Sequence, residues 1–154
     1  MESFVCSFEN LRLRITAEYD GITGMEFVTE REDNSDASDS ELIAECVRQL
    51  REYFAGERRE FSLPLKPYGT EFQRRVWVAL REIPYGETRT YKEIAERVGN
   101  AKASRAVGMA CHRNPIVILV PCHRVLGSDG KLTGFAGGLD VKRELLELEG
   151  VKIG

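Results

Sequence analysis

The chain has 154 residues and a formal net charge of −3, and 42% of its residues are hydrophobic. This length allows one or two small domains with an adequate core, and no apolar run is long enough to span a membrane. The four cysteines form no CxxC pair and no apolar leader follows Met1. This pattern argues against a disulfide framework and secretion, and it predicts a reducing, cytoplasmic location.

Charge is unevenly distributed between the two halves of the sequence. Residues 1–67 contain 8 Lys or Arg against 15 Asp or Glu, whereas residues 68–154 contain 14 against 10. The low overall charge alone disfavours a nucleic-acid partner, but the basic half can still contact a polyanion. Its modest excess predicts a small and strongly salt-dependent contact.

The N-terminal segment alternates between apolar and polar side chains. This alternation predicts strands over residues 4–28, with a hairpin turn at Asp20-Gly21 between residues 11–15 and 24–28. No chemistry-bearing pattern accompanies these strands, so we expect a structural role for them.

A loop, a helix and a linker are predicted next. Residues 30–40 are acidic and serine-rich, which is typical of a loop. Asp39 or Ser40 is expected to cap a helix with one apolar face, and Gly56 is expected to end it. Residues 57–68 contain two prolines and are interpreted as a linker, so that the domains are 1–67 and 68–154.

The C-terminal part is predicted to be mainly helical. Thr70 caps one helix, and Thr90 and Glu93 form a capping box over a second, which ends at Gly99. A further helix follows at about residues 102–112, and the short connection between these two helices is typical of a helix-turn-helix. We therefore predict an α+β protein: a small N-terminal strand-plus-helix domain and a mainly helical C-terminal domain with a helix-turn-helix.

The second helix of this motif is unusually poor in large side chains. Such a helix can serve close packing in a small core, or it can approach a nucleic-acid groove closely. It offers few long donors for reading base edges in the major groove, Arg105 being the main one. One long cation on a small face suits minor-groove insertion without sequence readout. The small residues are Ala103, Ser104, Ala106, Gly108 and Ala110.

A possible nucleophile follows an apolar run near the C-terminus. Residues 116–120 are all Val, Ile or Leu and are bounded by prolines, which predicts a strand buried on both faces. Cys122 lies where this strand would leave the core, beside His123 and Arg124. A thiol is largely protonated at neutral pH and needs a base or a positive field to react. Alternatively, Cys122 is a small buried apolar residue.

Further polar positions lie on either side of this cysteine. Asn114 precedes a proline and is expected to hydrogen-bond the backbone there, without a chemical role. Residues 134–138 are glycine-rich, which lets the backbone approach a ligand. Asp140 is expected to cap the last helix, and Glu149 ends it. Glu149 can be an ordinary residue of the last turn, but a negative charge is unfavourable at a helix C-terminus, and a buried partner explains it better.

These residues together resemble a known family. Pro121-Cys122-His123-Arg124-Val125, with Asn114-Pro115 and Arg105-Ala106-Val107-Gly108 before it, is similar to the O6-alkylguanine-DNA alkyltransferases, over roughly residues 68–150. The resemblance implies a monomeric direct-reversal DNA repair protein that binds double-stranded DNA in the minor groove with little sequence specificity. It would flip O6-alkylguanine out of the duplex and transfer the alkyl group irreversibly to Cys122, once per molecule.

The resemblance also implies a role for each matching residue. His123 would take the proton of the Cys122 thiol through a water molecule, and Glu149 would orient His123. Tyr91 would push the target phosphate and donate a hydrogen bond to N3 of guanine. Arg105 would fill the space left by the flipped nucleotide, and further DNA contacts fall to Ser104, Ala106 and Gly108.

The implied guanine pocket departs from the family pattern in two places. Phe135 stands where tyrosine is frequent, and Ala136 stands where some relatives have serine, so the backbone N–H groups near Ala136 and Gly137 become the expected donors to O6. Asn114 and Val125 are the other pocket residues implied. No cofactor is expected, and no metal, because the zinc ligands of some relatives are missing and the only histidines are His112 and His123.

Two other functions are compatible with parts of the sequence. The first is an alkyltransferase-like sensor that binds the lesion and recruits other proteins. In such relatives another residue replaces the cysteine, so the presence of Cys122 disfavours this function. The second is a helix-turn-helix regulator in which Cys122 is a redox switch. A regulator would need a dimer and a helix that reads sequence, and the small-faced second helix disfavours this.

Overall fold

The computed structural model describes residues 1–29 and 40–153. The chain divides into two compact units, Met1–Tyr68 and Gly69–Gly154. Strands dominate the first unit and helices the second, which confirms the predicted α+β class. Within the described ranges, no helix is long and apolar enough to cross a membrane.

The first unit contains an antiparallel sheet covered by one helix. Strands β1 (Glu2–Phe8), β2 (Leu11–Glu18) and β3 (Gly21–Phe27) pair in the order β1-β2-β3, and helix α1 spans Glu41–Phe54. Alternate residues of β2 are buried, as strand periodicity requires for a sheet with one covered face. Strands were predicted from residue 4 onward, which agrees with β1 as well as β2 and β3, and the turn lies at residues 19–20, one position before the predicted one.

The ends of α1 agree with the sequence pattern. Ser40, rather than Asp39, is the N-cap, and its hydroxyl accepts a hydrogen bond from the backbone N–H of Ile43 at 3.1 Å. Gly56 adopts a left-handed conformation (φ +77°) just after the helix, which favours glycine there. The loop predicted at 30–40 lies, apart from Ser40, outside the described residues, as does Asp39.

The predicted linker at 57–68 is partly built into the first unit. Leu65 pairs with Ile22 of β3, and the backbone N–H of Ile22 donates to the Pro64 carbonyl at 2.9 Å. Lys66 also bonds Glu18 and Asp20 at 2.9 Å each. The segment is therefore an edge of the sheet over residues 64–66, because its backbone satisfies the otherwise unpaired groups of β3.

The second unit contains the predicted helix-turn-helix. Its elements are α2 (Glu71–Arg81), β4 (Arg89–Thr90), α3 (Tyr91–Arg97), α4 (Ser104–His112), β5 (Val125–Leu126) and α5 (Leu139–Leu148). Capping boxes formed by Thr70 with Gln73 and by Thr90 with Glu93 begin α2 and α3. Helix α4 begins two positions later than predicted, because Asn100 Oδ1 accepts from the N–H of Lys102 and holds the preceding turn.

Two predictions for the second unit are wrong. Residues 116–120 are buried but form a tight turn rather than a strand: the Val120 N–H donates to Ile116 O at 3.0 Å, and Ile118 has a left-handed φ of 71°. Burial explains the apolar run equally well in either conformation. In addition, Asp140 does not cap α5, whose N-cap is Gly138 (φ 93°), so that Asp140 lies inside the first turn.

A short strand pair connects the helix-turn-helix to the cysteine segment. Arg89 and Thr90 of β4 pair in parallel with Val125 and Leu126 of β5. Helix α3 starts directly after β4, and Cys122–Arg124 forms a single 3₁₀ turn directly before β5. Because the strands run parallel, Tyr91 follows one end of the pair and the cysteine turn precedes the other end. The pair is only two residues long, and the Cys122 thiol remains near enough to interact with the Tyr91 phenol.

Trp77 generates a stability prediction for this unit. Its indole is 2% exposed, and Nε1 donates to the Ala110 carbonyl of α4 at 2.9 Å. Trp77→Phe leaves a cavity and an unpaired buried carbonyl, so we expect the free energy of unfolding to fall by about 2–4 kcal/mol. Urea denaturation measures this loss. Val78→Ala, at a neighbouring side chain that is 60% exposed, should change stability by no more than about 0.5 kcal/mol; equal losses would contradict the prediction.

Candidate active site

Cys122 lies buried at the start of the 3₁₀ turn, with its sulfur facing an amide. The residue is 5% exposed, and Asn114 Nδ2 donates to Cys122 Sγ at 3.2 Å. The same amide donates to the Val120 carbonyl at 2.7 Å, while Asn114 Oδ1 accepts from the Ile116 N–H at 2.9 Å. Asn114 thus bonds the backbone of the turn, as predicted, and it also donates to the Cys122 sulfur, a contact that the sequence did not predict.

Opposing effects act on the ionisation of the thiol. Burial raises the pKa of Cys122, because a thiolate loses its hydration there. The Asn114 hydrogen bond and the positive charge of Lys142 lower the pKa of Cys122, since both stabilise the thiolate. The thiol of Cys111, on α4, also lies near enough to interact with Cys122, and burial raises the pKa of Cys111.

His123 and Glu149 form a buried pair beside the cysteine. His123 Nε2 lies 2.8 Å from Glu149 Oε2, and both side chains are inaccessible to solvent. Burial opposes ionisation of Glu149, but hydrogen bonds from His123 and Arg124 outweigh it and lower the pKa of Glu149 to about 2. Glu149 is therefore a carboxylate at neutral pH and can only accept, which places the proton of the imidazole on Nε2.

This pairing leaves the other imidazole nitrogen as a free base. Burial lowers the pKa of His123, so the ring stays neutral although Glu149 favours its protonation. Nδ1 is buried and has no hydrogen-bond partner among the described residues. A neutral ring with its proton on Nε2 carries its lone pair on Nδ1. His123 can therefore accept a proton at Nδ1 while Glu149 holds the ring in place.

Arg124 clamps the carboxylate from the opposite side. Its Nε donates to Glu149 Oε1 at 2.7 Å and its Nη2 to Oε2 at 3.0 Å, while Nη1 donates to the Ile83 carbonyl at 2.7 Å. The guanidinium also lies 5.8 Å from the centre of the Tyr85 ring. Because His123 and Arg124 follow Cys122 directly, the sequence suggested that these two residues supply a base and a positive field to the thiol. The structure instead shows Arg124 holding Glu149, a contact that no sequence spacing predicts.

Tyr91 lies at the first position of α3, half-buried and facing α4. Burial raises the pKa of its phenol, so the hydroxyl keeps its proton at neutral pH. Thr133 Oγ1 donates to Tyr91 OH at 3.0 Å. An added methyl group on Gly108 would lie 4.0 Å from the Tyr91 ring, so Gly108 lets α4 pass close to the tyrosine.

The exposed face of α4 carries the predicted DNA-contact residues. Arg105 and Ala106 are exposed, Ser104 and Gly108 are half-buried, and Val107 packs into the core. Arg105 makes no hydrogen bond or ion pair with any residue that the structure describes. Its side chain is available to an external partner.

Residues 135–137 form a turn between β5 and α5. The Gly138 N–H donates to the Phe135 carbonyl at 3.0 Å. The backbone N–H groups of Ala136 and Gly137 donate to none of the residues within 1–29 and 40–153. Val125, in contrast, is completely buried in β5.

Two further polar residues of this region were missed in the sequence. Lys142 of α5 is completely buried, and its Nζ donates to the Thr133 carbonyl at 2.8 Å. Thr133 itself is exposed and looked like part of an ordinary loop. A lysine four positions into a helix is usually solvated, so only the three-dimensional contacts identify it. Across the described ranges, no group of three or more His, Cys, Asp or Glu could hold a metal ion.

The fold and these contacts define a helix-turn-helix protein with a buried cysteine beside a histidine and a carboxylate. The family model for the DNA-binding domain of 6-O-methylguanine DNA methyltransferase matches residues 71–151, and the model for the ribonuclease-like domain of the same proteins matches residues 8–67. The chain therefore belongs to the 6-O-methylguanine DNA methyltransferase family, as the sequence motifs predicted.

Individual relatives agree with this membership. The methylated-DNA–protein-cysteine methyltransferase of Methanosarcina acetivorans is 66% identical over 110 residues, which cover 71% of this chain and 70% of the relative. The protein of that name from Mycobacterium leprae is 63% identical over 107 residues, covering 70% of this chain and 65% of the relative. The crystal structure of Mycobacterium tuberculosis OGT in complex with DNA aligns with a TM-score of 0.85 and 46% identity, covering 94% of this chain and 90% of that one.

Glu149 generates a prediction about acid stability. Its folded pKa of about 2 lies below its ordinary value of 4.5, so its contribution is complete above pH 4.5 and disappears as the pH falls towards 2. Glu149→Gln also leaves Arg124 buried without its counter-charge. We expect the variant to be less stable by about 3 kcal/mol at pH 7, with a difference that narrows below pH 4.5. Urea unfolding at pH 7, 4 and 3 tests this; a difference independent of pH would contradict it.

Proposed function

We propose that this protein removes an alkyl group from O6-alkylguanine in double-stranded DNA and transfers it once, irreversibly, to Cys122. The observation that carries the proposal is the Cys122 thiol, which accepts a hydrogen bond from Asn114 and is followed directly by a neutral His123 whose Nδ1 has no partner among the described residues. Family membership and the methyltransferase names of the relatives favour this activity over a lesion sensor or a redox-regulated repressor. The protein is then both methyltransferase and acceptor.

The proposed transfer follows from the contacts in the site. His123 Nδ1 takes the thiol proton through a water molecule, and the resulting thiolate attacks the alkyl carbon. The bond from carbon to O6 breaks and its electron pair goes to guanine. The proton that His123 took from the thiol then passes through solvent to the guanine anion, which leaves His123 neutral again. Hydrogen bonds from Tyr91 to N3 and from the Ala136 and Gly137 N–H groups to O6 stabilise the charge that develops on guanine.

Burial of the acceptor requires the base to leave the duplex. Because Cys122 is 5% exposed, a base still paired in DNA cannot reach its sulfur. We assign the DNA contact to the exposed face of α4, with Ser104, Ala106 and Gly108 against the minor groove and Arg105 filling the vacated space. This face has few side chains that could distinguish one base pair from another, so binding has little sequence specificity. One copy of the chain provides the whole site.

The four cysteines are free thiols, which supports function in the reducing cytoplasm.

The acceptor assignment predicts a change in protein mass. After incubation with a duplex containing O6-methylguanine, one hydrogen should be replaced by one methyl group, on the peptide that contains Cys122. The reaction should proceed with a chelator present and no added cofactor. Cys122→Ser should abolish transfer while retaining DNA binding, whereas Cys111→Ser should retain transfer. Intact-mass and peptide mass spectrometry measure this; methylation of Cys6, Cys46 or Cys111 instead would refute the mechanism.

The Arg105 assignment predicts a difference between two substrates. Arg105→Ala should slow repair of the duplex by about tenfold or more, because it removes the group that offsets unstacking. The same variant should react almost normally with the free base O6-benzylguanine. Single-turnover rates at one salt concentration measure both reactions. Arg81→Ala, which removes one exposed charge from α2, is the matched control; equal slowing of both substrates by Arg105→Ala would refute the assignment.

A further inference from the structure

The segment between β5 and α5 is tied to the candidate site at one residue, Thr133. Its carbonyl accepts from Lys142 Nζ at 2.8 Å, and its hydroxyl donates to Tyr91 OH at 3.0 Å. The first bond fixes the backbone of the segment to α5, and the second joins its side chain to α3. Thr133 therefore joins α5, which follows it closely in the chain, to α3, which lies about 40 residues earlier.

The burial of Lys142 stabilises its hydrogen bond to the Thr133 carbonyl. Its side chain is completely buried, so its hydrogen bond to the Thr133 carbonyl replaces hydration that the ammonium group has lost. Loss of that bond would leave a buried polar group without compensation, which strongly favours the bonded arrangement. The Lys142 N–H also donates to the Gly138 carbonyl at 3.1 Å, so the residue holds the segment at two points.

The direction of the second bond matters for Tyr91. Between two hydroxyls either oxygen can donate, whereas guanine N3 can only accept. With the base bound, Thr133 donates to the Tyr91 oxygen and leaves the phenolic hydrogen for N3. A hydroxyl that accepts a hydrogen bond is also polarised to donate a stronger one. Because Thr133 occupies one lone pair, it limits the directions in which the Tyr91 O–H can point.

We propose that Thr133, fixed by Lys142, is a positioning residue that holds the Tyr91 hydroxyl ready to donate to the flipped guanine. This inference rests on the proposed function, in which Tyr91 bonds N3 of the base. In this proposal Thr133 acts only through Tyr91, to which its hydroxyl is hydrogen-bonded. The assignment extends the site to the segment that also carries Phe135, Ala136 and Gly137.

The test is a double-mutant cycle with a conservative control. Thr133→Val keeps the shape of the side chain and removes the hydroxyl, whereas Thr133→Ser keeps the hydroxyl. Because Thr133 is exposed, neither change should disturb folding, which thermal unfolding of each variant verifies. Single-turnover transfer from a duplex with O6-methylguanine is measured for these two variants, for Tyr91→Phe and for the Thr133→Val/Tyr91→Phe pair.

We expect Thr133→Val to lower the transfer rate at saturating protein about five- to tenfold, and Thr133→Ser to restore most of it. In the Tyr91→Phe background, Thr133→Val should have no further effect. A duplex containing O6-methyl-3-deazaguanine, which lacks the N3 acceptor, should react with Thr133→Val and the unmodified protein at equal rates.

The outcomes separate this inference from the proposed function. Absence of transfer by the unmodified protein would refute the function itself, and a normal rate for Tyr91→Phe would refute the role of the tyrosine. A slow Tyr91→Phe combined with a normal Thr133→Val would overturn only the positioning role of Thr133. Additive losses in the double variant, or failure of Thr133→Ser to restore the rate, would do the same.

Discussion

The arrangement of the candidate site depends on one buried carboxylate, that of Glu149. It ends α5 at a position where the helix dipole disfavours negative charge, so its ionisation has to come from side chains. Arg124 and His123 provide this by binding both carboxylate oxygens from the turn that also contains Cys122. The carboxylate therefore joins the C-terminal helix to the cysteine turn and fixes the protonated nitrogen of the histidine with the same contacts.

Burial, helped by Arg124, explains why the histidine remains a base. An ionised carboxylate alone would favour the imidazolium, which has no lone pair to accept a thiol proton. Burial disfavours a positive charge on the ring, and the nearby Arg124 guanidinium adds to this effect. The pKa of His123 is therefore lowered although it touches a carboxylate. Orientation and basicity come from different neighbours, and loss of either neighbour should affect a different property of the ring.

Sequence patterns predicted the features that depend on local chemistry. Capping boxes at Thr70 and Thr90 locate two helix starts, because side chain and backbone bond within one turn. The apolar run at 116–120 predicted burial correctly and conformation wrongly, since burial alone does not distinguish a strand from a turn. Long-range contacts such as Thr133 to Tyr91 leave no periodic signal in the sequence. Cys122, His123 and Glu149 were identified through motifs, whereas the clamp on Glu149 required coordinates.

Within the second unit, the proposed reacting residues and the proposed DNA-contact residues lie on different secondary-structure elements. Cys122, His123 and Glu149 are buried and held by hydrogen bonds, so their geometry does not require DNA for its formation. Arg105 is exposed on α4, and its side chain has no hydrogen bond to the residues that the structure describes. In the proposed mechanism, rigid groups suit a reaction that needs exact alignment of sulfur and carbon, whereas an unrestrained cation can follow the duplex. Tyr91 lies on the first turn of α3, beside Gly108 of α4. If the proposed mechanism holds, the position of a bound nucleotide affects the chemical step through Tyr91.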